Sequence, residues 1–283
     1  MLIFQEAGRL GNQLFQYAAL RSICNESEAL ILLGFEQLDS LFDGIKAIII
    51  NNKTYKYKKA FYYGLYRYLD YLSQKGFVSR ILEKDQLETY EIIYKKGFCN
   101  SIKFVEQSYF QNESLISQDV IASLSFKHIL VDKVKHLLDA MPSSTKIFVH
   151  IRRGDYISWP NKDSPAILSA SYYRKCMDLI KSIISDPFFI IISDDPFYAV
   201  DVFGNLDTLY ISRGSAFEDF TLMSYCQGGI LSASSFSWWG AYFSHLKFPK
   251  GVFLAPKYWA GHSVSLWYPP NIKTSFFTYV DFK

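Results

Sequence analysis

The sequence predicts an α/β protein of two domains, each built on a parallel sheet. Three observations carry this. The chain opens as strand–helix–strand, with apolar runs at 2–6 and 29–33 flanking a helical segment at 14–24. From residue 146 onward, short apolar runs alternate with helical patterns through short connections, which is the doubly wound arrangement. Between them, Pro142-Ser143-Ser144-Thr145 is a polar, turn-forming stretch. It divides the chain into an N-terminal domain at 1–142 and a C-terminal domain at 143–283.

The elements follow in order. Residues 2–6 are a short apolar run suited to a buried strand, and Gly8 to Gln13 is a turn-rich link. Leu14, Tyr17, Ala18 and Arg21 then recur at helical spacing. This βαβ opening requires parallel strands. In the stretch from 36 to 100, Tyr and Lys alternate at 55–59, and residues 61–71 hold six aromatics in eleven positions. That cluster reads as an aromatic helix packed on the core, or as a surface for a sugar acceptor, because rings stack on sugar faces. A strand is expected at 104–110 and a helix at 131–140. In the second domain the expected strands are 147–151, 188–193, 208–212, 229–233 and a last one at 251–255. The expected helices are 171–184, 197–203, 217–226 and 237–245.

Bulk composition excludes several classes. The 283 residues are 49% hydrophobic and 18% aromatic, which suits a folded globular chain rather than a disordered one. A net charge of +3 is too small for general nucleic-acid binding, yet allows a local anion pocket. Cys24, Cys99, Cys176 and Cys226 form no CxxC pair, so they read as buried thiols in a reducing compartment. Met1 to Phe4 passes at once into Gln5 and Glu6, a strand rather than a signal peptide. No window approaches the roughly 20 apolar residues of a membrane span.

The chemistry gathers at strand ends. His150-Ile151-Arg152-Arg153-Gly154-Asp155 lies where a strand ends, and open α/β sheets bind ligands outside their C-terminal strand ends. Paired guanidinium forks match phosphate oxygens and stay charged near neutral pH. Ser232-Ala233-Ser234-Ser235-Phe236-Ser237-Trp238-Trp239-Gly240 lies between a strand and a helix, where hydroxyls and backbone N–H groups suit an anion or simply cap the helix. Trp238-Trp239 reads as packing. Glu218 and Asp219 open a helix, where the dipole favours acids. Asp194-Asp195-Pro196 reads as a helix cap with proline in the first turn, or as a metal-binding aspartate pair. Gly8 and Gly11 lack the G-x-G-x-x-G spacing of a dinucleotide site, which counts against an oxidoreductase.

Taken together these segments resemble a known family. Gly8-Arg9-Leu10-Gly11-Asn12-Gln13-Leu14-Phe15-Gln16-Tyr17-Ala18 is similar to the N-terminal signature of bacterial and animal α-1,2-fucosyltransferases, glycosyltransferase family 11. His150 to Asp155 resembles the HxRRxD motif that the family shares with α-1,6- and protein O-fucosyltransferases. Residues 218–224, 234–240 and 255–259 resemble its C-terminal motifs. The motifs span 8 to 259 and are specific in combination, while 36 to 100 matches none.

The resemblance implies a GT-B-like fold, two Rossmann-like domains facing across a cleft, with acceptor recognition in the first and GDP-sugar binding in the second. It implies inverting transfer of L-fucose from GDP-β-L-fucose to the 2-hydroxyl of a terminal β-galactoside on a surface glycan such as an O-antigen. No metal or other cofactor is expected, because Arg152 and Arg153 would neutralise the departing GDP. On the donor side it implies Arg152 at the β-phosphate, with Arg153, Gly154, Ser234, Ser235 and Phe236, and with Asp219 holding the nucleotide or its loop. Asn12 and Gln13 would meet the acceptor. For the base that takes the acceptor's proton, Asp155 and His150 are the candidates. Ile157-Ser158-Trp159-Pro160 supplies no carboxylate where the α-1,6 enzymes have one. A dissociative transition state would ease the demand for a strong base. Another GDP-sugar transferase and a non-catalytic glycan-binding protein are the alternatives. The expected setting is the bacterial cytoplasm or the inner-membrane periphery, without nucleic-acid partners.

Overall fold

The structure, a computed structural model, describes the chain except for residue 26 and residues 52–58, 88, 206–208 and 282–283. It contains two compact units, Met1–Lys127 and His128–Lys283.

The first unit starts with β1 (Leu2–Gln5), α1 (Leu10–Ile23) and β2 (Leu30–Leu33). Strands β1 and β2 pair in parallel, Leu2 opposite Leu30 and Gln5 opposite Leu33, which is the expected βαβ opening. Helix α1 begins at Leu10, so most of the segment read as a turn is its first turn. Then come α2 (Glu36–Leu41), β3 (Phe42–Asp43), β4 (Ile48–Ile50), α3 (Lys59–Gln74), β5 (Val78–Asp85), β6 (Tyr90–Lys95), β7 (Cys99–Val105), α4 (Gln118–Ala122) and β8 (Ser125–Phe126). The main sheet has the order β4-β2-β1-β7-β5-β6, and β3 pairs with β8. Only β6 runs antiparallel in the main sheet, against β5. Tyr62, Tyr66 and Leu69 of α3 are buried against Ile3, Leu33, Val78 and Phe104. Phe61, Tyr68 and Tyr71 on the same helix face solvent. The cluster is therefore half core and half surface. The Tyr–Lys alternation at 55–59 falls almost wholly outside the described residues.

One expectation fails here, and two strands have no counterpart in the sequence reading. Strands β5 and β6 were not legible, and the strand expected at 104–110 already ends at Val105. The cause is local: Arg80 on β5 pairs with Asp70 at 2.5 Å and also with Glu106. Charged side chains satisfied by ion pairs interrupt the alternation that marks a half-buried strand.

The second unit comprises α5 (His128–Asp139), β9 (Thr145–Ile151), α6 (Ala170–Ile183), β10 (Pro187–Ser193), α7 (Pro196–Phe203), β11 (Leu209–Ile211), α8 (Ala216–Tyr225), β12 (Gly228–Ile230), α9 (Ser235–Lys247), β13 (Phe253–Pro256) and β14 (Thr278–Val280). The division precedes α5, whereas the polar stretch at 142–145 suggested one after it. Helix α5 belongs to this unit through Lys133, which donates to Glu218 of α8 at 2.9 Å. Strand β14, absent from the sequence reading, extends the sheet beyond β13 with Leu254 opposite Thr278.

All strand pairs of this sheet are parallel. Its order is β11-β10-β9-β12-β13-β14. The chain builds outward from β9 on one side, returns, and builds outward from β12 on the other. That is the Rossmann order, and the crevice where it reverses lies between the C-terminal ends of β9 and β12. Ile147, Val149 and Ile151 of β9 bury against Tyr172, Tyr173, Cys176 and Met177 of α6. Gly229 lets Phe148 lie across β12, since a Cβ there would come within 2.1 Å of the Phe148 ring. Trp238 and Trp239 are fully buried, and Trp238 stacks on Tyr242 at 5.4 Å. Both indoles pack, as expected. All four cysteines are free; Cys24, Cys176 and Cys226 are buried, but Cys99 is exposed, which departs from the expectation. Among the described residues, no helix is long and apolar enough to cross a membrane.

Candidate active site

Strand β9 ends at Ile151, and the chain runs through Arg152 and Arg153 into a single 3-10 turn, Gly154–Ile157. The Arg152 guanidinium donates from Nη2 to Asp155 Oδ1 at 2.5 Å. Its Nη1 meets Asp194 Oδ2 at 3.0 Å. The Arg153 backbone N–H donates to Asp194 Oδ1 at 2.8 Å. The Arg153 Nε donates to Asp195 Oδ2 at 3.2 Å, and its guanidinium lies 3.7 Å from the Tyr198 ring centroid. Three carboxylates from the ends of two adjacent strands thus fix both forks in place. A guanidinium has five N–H donors, so each fork keeps donors for a ligand. Gly154 allows this closure, because a Cβ would sit 2.7 Å from Asp194 Oδ2.

Asp195 also caps α7, accepting from Tyr198 N at 3.1 Å with Pro196 following it. Of the two readings of the aspartate pair, the helix cap therefore holds for Asp195. The second role of the pair, holding the arginines, was not foreseen. Its signal was the position of Asp194 at the end of the strand beside β9.

On the other side of the crevice, Ser234 caps α9 and accepts from Phe236 N at 3.3 Å. Ser234 is buried, while Ser235 and Phe236 are partly exposed at the first turn of the helix. Such a turn presents backbone N–H groups and the positive end of the helix dipole. His150 lies beneath this loop. It is 5% exposed, its Nδ1 is 2.6 Å from Ser232 Oγ, and its ring is 5.5 Å from that of Phe236. Burial, reinforced by the Arg152 charge, pushes its pKa down to about 3. The imidazole is thus neutral and enclosed. Held between Ser232 and Phe236, His150 is placed to brace the two loops.

Phe236 meets Phe220 of α8 at 5.2 Å, next to Asp219. The two acids at the start of α8 differ. Glu218 completes a capping box with Ser215 and pairs with Lys133, and its pKa falls to about 2 mainly through the Ser215 backbone N–H. The helix-dipole account suffices for it. Asp219 is 9% exposed and accepts from Ser212 Oγ at 2.5 Å. Burial pushes its pKa up to about 6 against the pull of that hydrogen bond. A carboxylate held at such a cost beside the crevice needs a further reason.

Asn12 and Gln13 belong to the first unit. The Asn12 side-chain oxygen accepts from Gln111 Nε2 at 2.9 Å, and the residue is partly exposed. Gln13 is buried, donating to Glu6 Oε2 at 2.6 Å and accepting from Leu38 N at 2.9 Å. Its amide ties α1 to α2.

The second unit therefore brings Arg152, Arg153, Gly154, Asp155, Ser234, Ser235, Phe236 and Asp219 to the C-terminal edge of one parallel sheet. Fixed guanidinium forks on one side and a helix N-terminus on the other have the chemistry to hold an anion.

Comparisons with known proteins place the chain in a family. The chain is 26% identical to the O-antigen biosynthesis glycosyltransferase WbnK of Escherichia coli, over 92% of this chain and 95% of that protein. It is 28% identical to an α-1,2-colitosyltransferase of Escherichia coli, over 92% of each. Among solved structures, NodZ α-1,6-fucosyltransferase co-crystallised with GDP matches with a TM-score of 0.50 at 13% identity, covering 84% of this chain and 90% of that one. This likeness shows the fold, which is GT-B-like. The model of the family described as Glycosyl transferase family 11 matches residues 2–265, nearly the whole chain. The chain belongs to glycosyl transferase family 11, and it is a glycosyltransferase.

Proposed function

We propose that the second unit binds GDP-β-L-fucose and that the enzyme transfers L-fucose, with inversion, to the 2-hydroxyl of a terminal β-galactoside on a surface glycan such as an O-antigen. The observation that carries this is the placing of Arg152 and Ser234 on opposite sides of the strand-order reversal. The diphosphate would lie between them, with Arg152 on the β-phosphate, and Arg153, Gly154 and the Ser234-Ser235 turn around it. Asp219 offers a carboxylate to paired N–H donors such as N1 and N2 of guanine, a pairing that adenine lacks. Phe236, in contact with Phe220 beside Asp219, would meet the same base.

In the reaction, the acceptor oxygen forms a bond to the anomeric carbon as the bond from that carbon to the β-phosphate oxygen breaks. The electron pair leaves with GDP. Arg152 stabilises the growing charge, so no metal is called for. The phosphate competes with Asp155 for Arg152, which loosens the Asp155 carboxylate. That carboxylate is half-exposed and takes the hydroxyl proton. The acceptor's place on surface glycans, and the O-antigen role of the relative WbnK, suit an enzyme of the bacterial cytoplasm or the inner-membrane periphery.

A second reading has its own support. Colitose is the 3-deoxy counterpart of fucose, and one relative is a colitosyltransferase. Competing GDP-fucose, GDP-colitose and GDP-mannose in one assay decides the donor. Preferential consumption of GDP-fucose is expected, while faster turnover of either other sugar overturns the fucose assignment.

A further inference from the structure

We propose that Trp159 and Tyr268 form the platform on which the acceptor sugar stacks. This rests on the reading of the β9 loop as the donor site. The Arg152 guanidinium lies 5.6 Å from the ring centroid of Tyr156. Trp159 stacks on Tyr156 with centroids 5.0 Å apart and planes at 29°. Tyr268 follows at 5.8 Å from Trp159, tilted by 46°. Three rings thus form a continuous series that begins beside Arg152.

The rings differ in how they are held. Tyr156 is an anchor: its hydroxyl donates to Ala233 O at 2.9 Å, tying the arginine loop to the serine loop. Trp159 and Tyr268 are 37% and 45% exposed. Leaving large apolar rings in water forgoes the gain of burying them. The backbone nevertheless fixes both. Trp159 N donates to Asp155 O at 3.0 Å, and its carbonyl accepts from Ala166 N at 2.7 Å. Tyr268 N donates to Tyr258 O at 3.4 Å, and its carbonyl accepts from Ala260 N at 3.1 Å. Rings held rigid while partly in water bind at little entropic cost.

The chemistry of transfer says what covers them. The acceptor hydroxyl must reach the anomeric carbon, one oxygen away from the phosphate that Arg152 holds. The acceptor ring must therefore lie beside this arginine. A β-galactoside has its C3, C4 and C5 hydrogens on one face, an apolar patch matched in size to an aromatic ring. Those hydrogens meet the negative face of the ring, and the hydroxyls on the other edges stay in water. The Trp159–Asp155 backbone bond also joins the platform to the residue that takes the proton.

The test compares Trp159→Ala, Trp159→Phe and Tyr268→Ala with the wild type. Initial rates are measured against methyl β-D-galactopyranoside at saturating GDP-fucose, and GDP binding is measured by calorimetry. Trp159→Ala should raise the acceptor KM about ten- to a hundred-fold while the GDP dissociation constant stays within about two-fold. Trp159→Phe keeps a face and should stay within about five-fold of the wild-type KM, and Tyr268→Ala should give a smaller rise than Trp159→Ala. An unchanged acceptor KM in Trp159→Ala overturns the platform. So does a parallel loss of GDP affinity, because the ring would then serve the nucleotide or the fold. A wild-type protein that binds no GDP and consumes no GDP-fucose overturns the donor reading as well, which separates the two failures.

Discussion

Arg152 meets Asp194 at 3.0 Å, linking the ends of β9 and β10 by an ion pair at the mouth of the candidate donor site. The pair fixes the fork before any ligand arrives, so phosphate binding does not have to restrain a free side chain. Arg152→Ala should lower turnover about 30- to 1,000-fold, the scale of one charged group in transition-state stabilisation. The fold should persist, because Asp194 keeps the hydrogen bond from the Arg153 backbone N–H and Asp155 stays half-exposed to water. Lysine at this position should rescue poorly, since an ammonium cannot serve two carboxylates and a phosphate in one plane. Steady-state rates together with a thermal melt check both halves.

Asp219 should show a trade-off between stability and binding. Its pKa is about 6 in the fold, against an ordinary value of 3.8. Below pH 3.8 the carboxyl is neutral in both folded and unfolded chains and costs nothing. Between 3.8 and 6 the unfolded chain ionises first, and above 6 the full penalty applies. Asp219→Asn should therefore stabilise the protein by up to about 3 kcal/mol above pH 6, with the gain vanishing near pH 3. The same variant should bind GDP more weakly at pH 7.5. In the wild type, GDP affinity should fall as pH drops through 6. Melts and calorimetry over pH 4–8 measure these effects.

His150 gives the opposite sign. Its folded pKa of about 3 lies below the ordinary 6.5. Its contribution to stability is complete above 6.5 and is lost as pH falls from 6.5 toward 3, because only the unfolded chain takes up the proton. His150→Gln should flatten the acid limb of the stability profile. The pH–rate curve of the wild type should carry no limb from His150 between pH 5 and 8. An NMR titration that finds the ring protonating near 6.5 would contradict the enclosed, neutral imidazole.

Gly229→Ala should destabilise the second unit by about 1–3 kcal/mol, through overlap of the new methyl with Phe148. Phe148→Leu should recover part of the loss in the double variant, which urea titration of the two single changes and the pair would measure.

The strands and helices around the candidate site were legible because β9 and β10 are buried and read as near-continuous apolar runs, broken in β9 only by Lys146 near its start and His150 near its end. Arg152 and Arg153 stood out because two guanidinium groups follow such a run directly. The contrast between Glu218 and Asp219 was not legible: adjacent acids at a helix start look alike until Ser212 and burial separate them. Tyr156 and Trp159 were passed over for a related reason. Their three-residue spacing looked like ordinary loop sequence, and the ring that completes the series, Tyr268, lies far along the chain. Strand β6, with little of it buried, had no apolar rhythm to read.

The most direct test of the central claim is the product of one reaction. The enzyme is incubated with GDP-β-L-fucose and methyl β-D-galactopyranoside, and the disaccharide is solved by two-dimensional NMR. The account predicts an α-fucosyl anomeric proton correlated through the linkage to C2 of galactose, and product from Arg152→Ala reduced at least about 30-fold over the same time. A linkage to another carbon, a β-fucoside, or undiminished product from Arg152→Ala would contradict it.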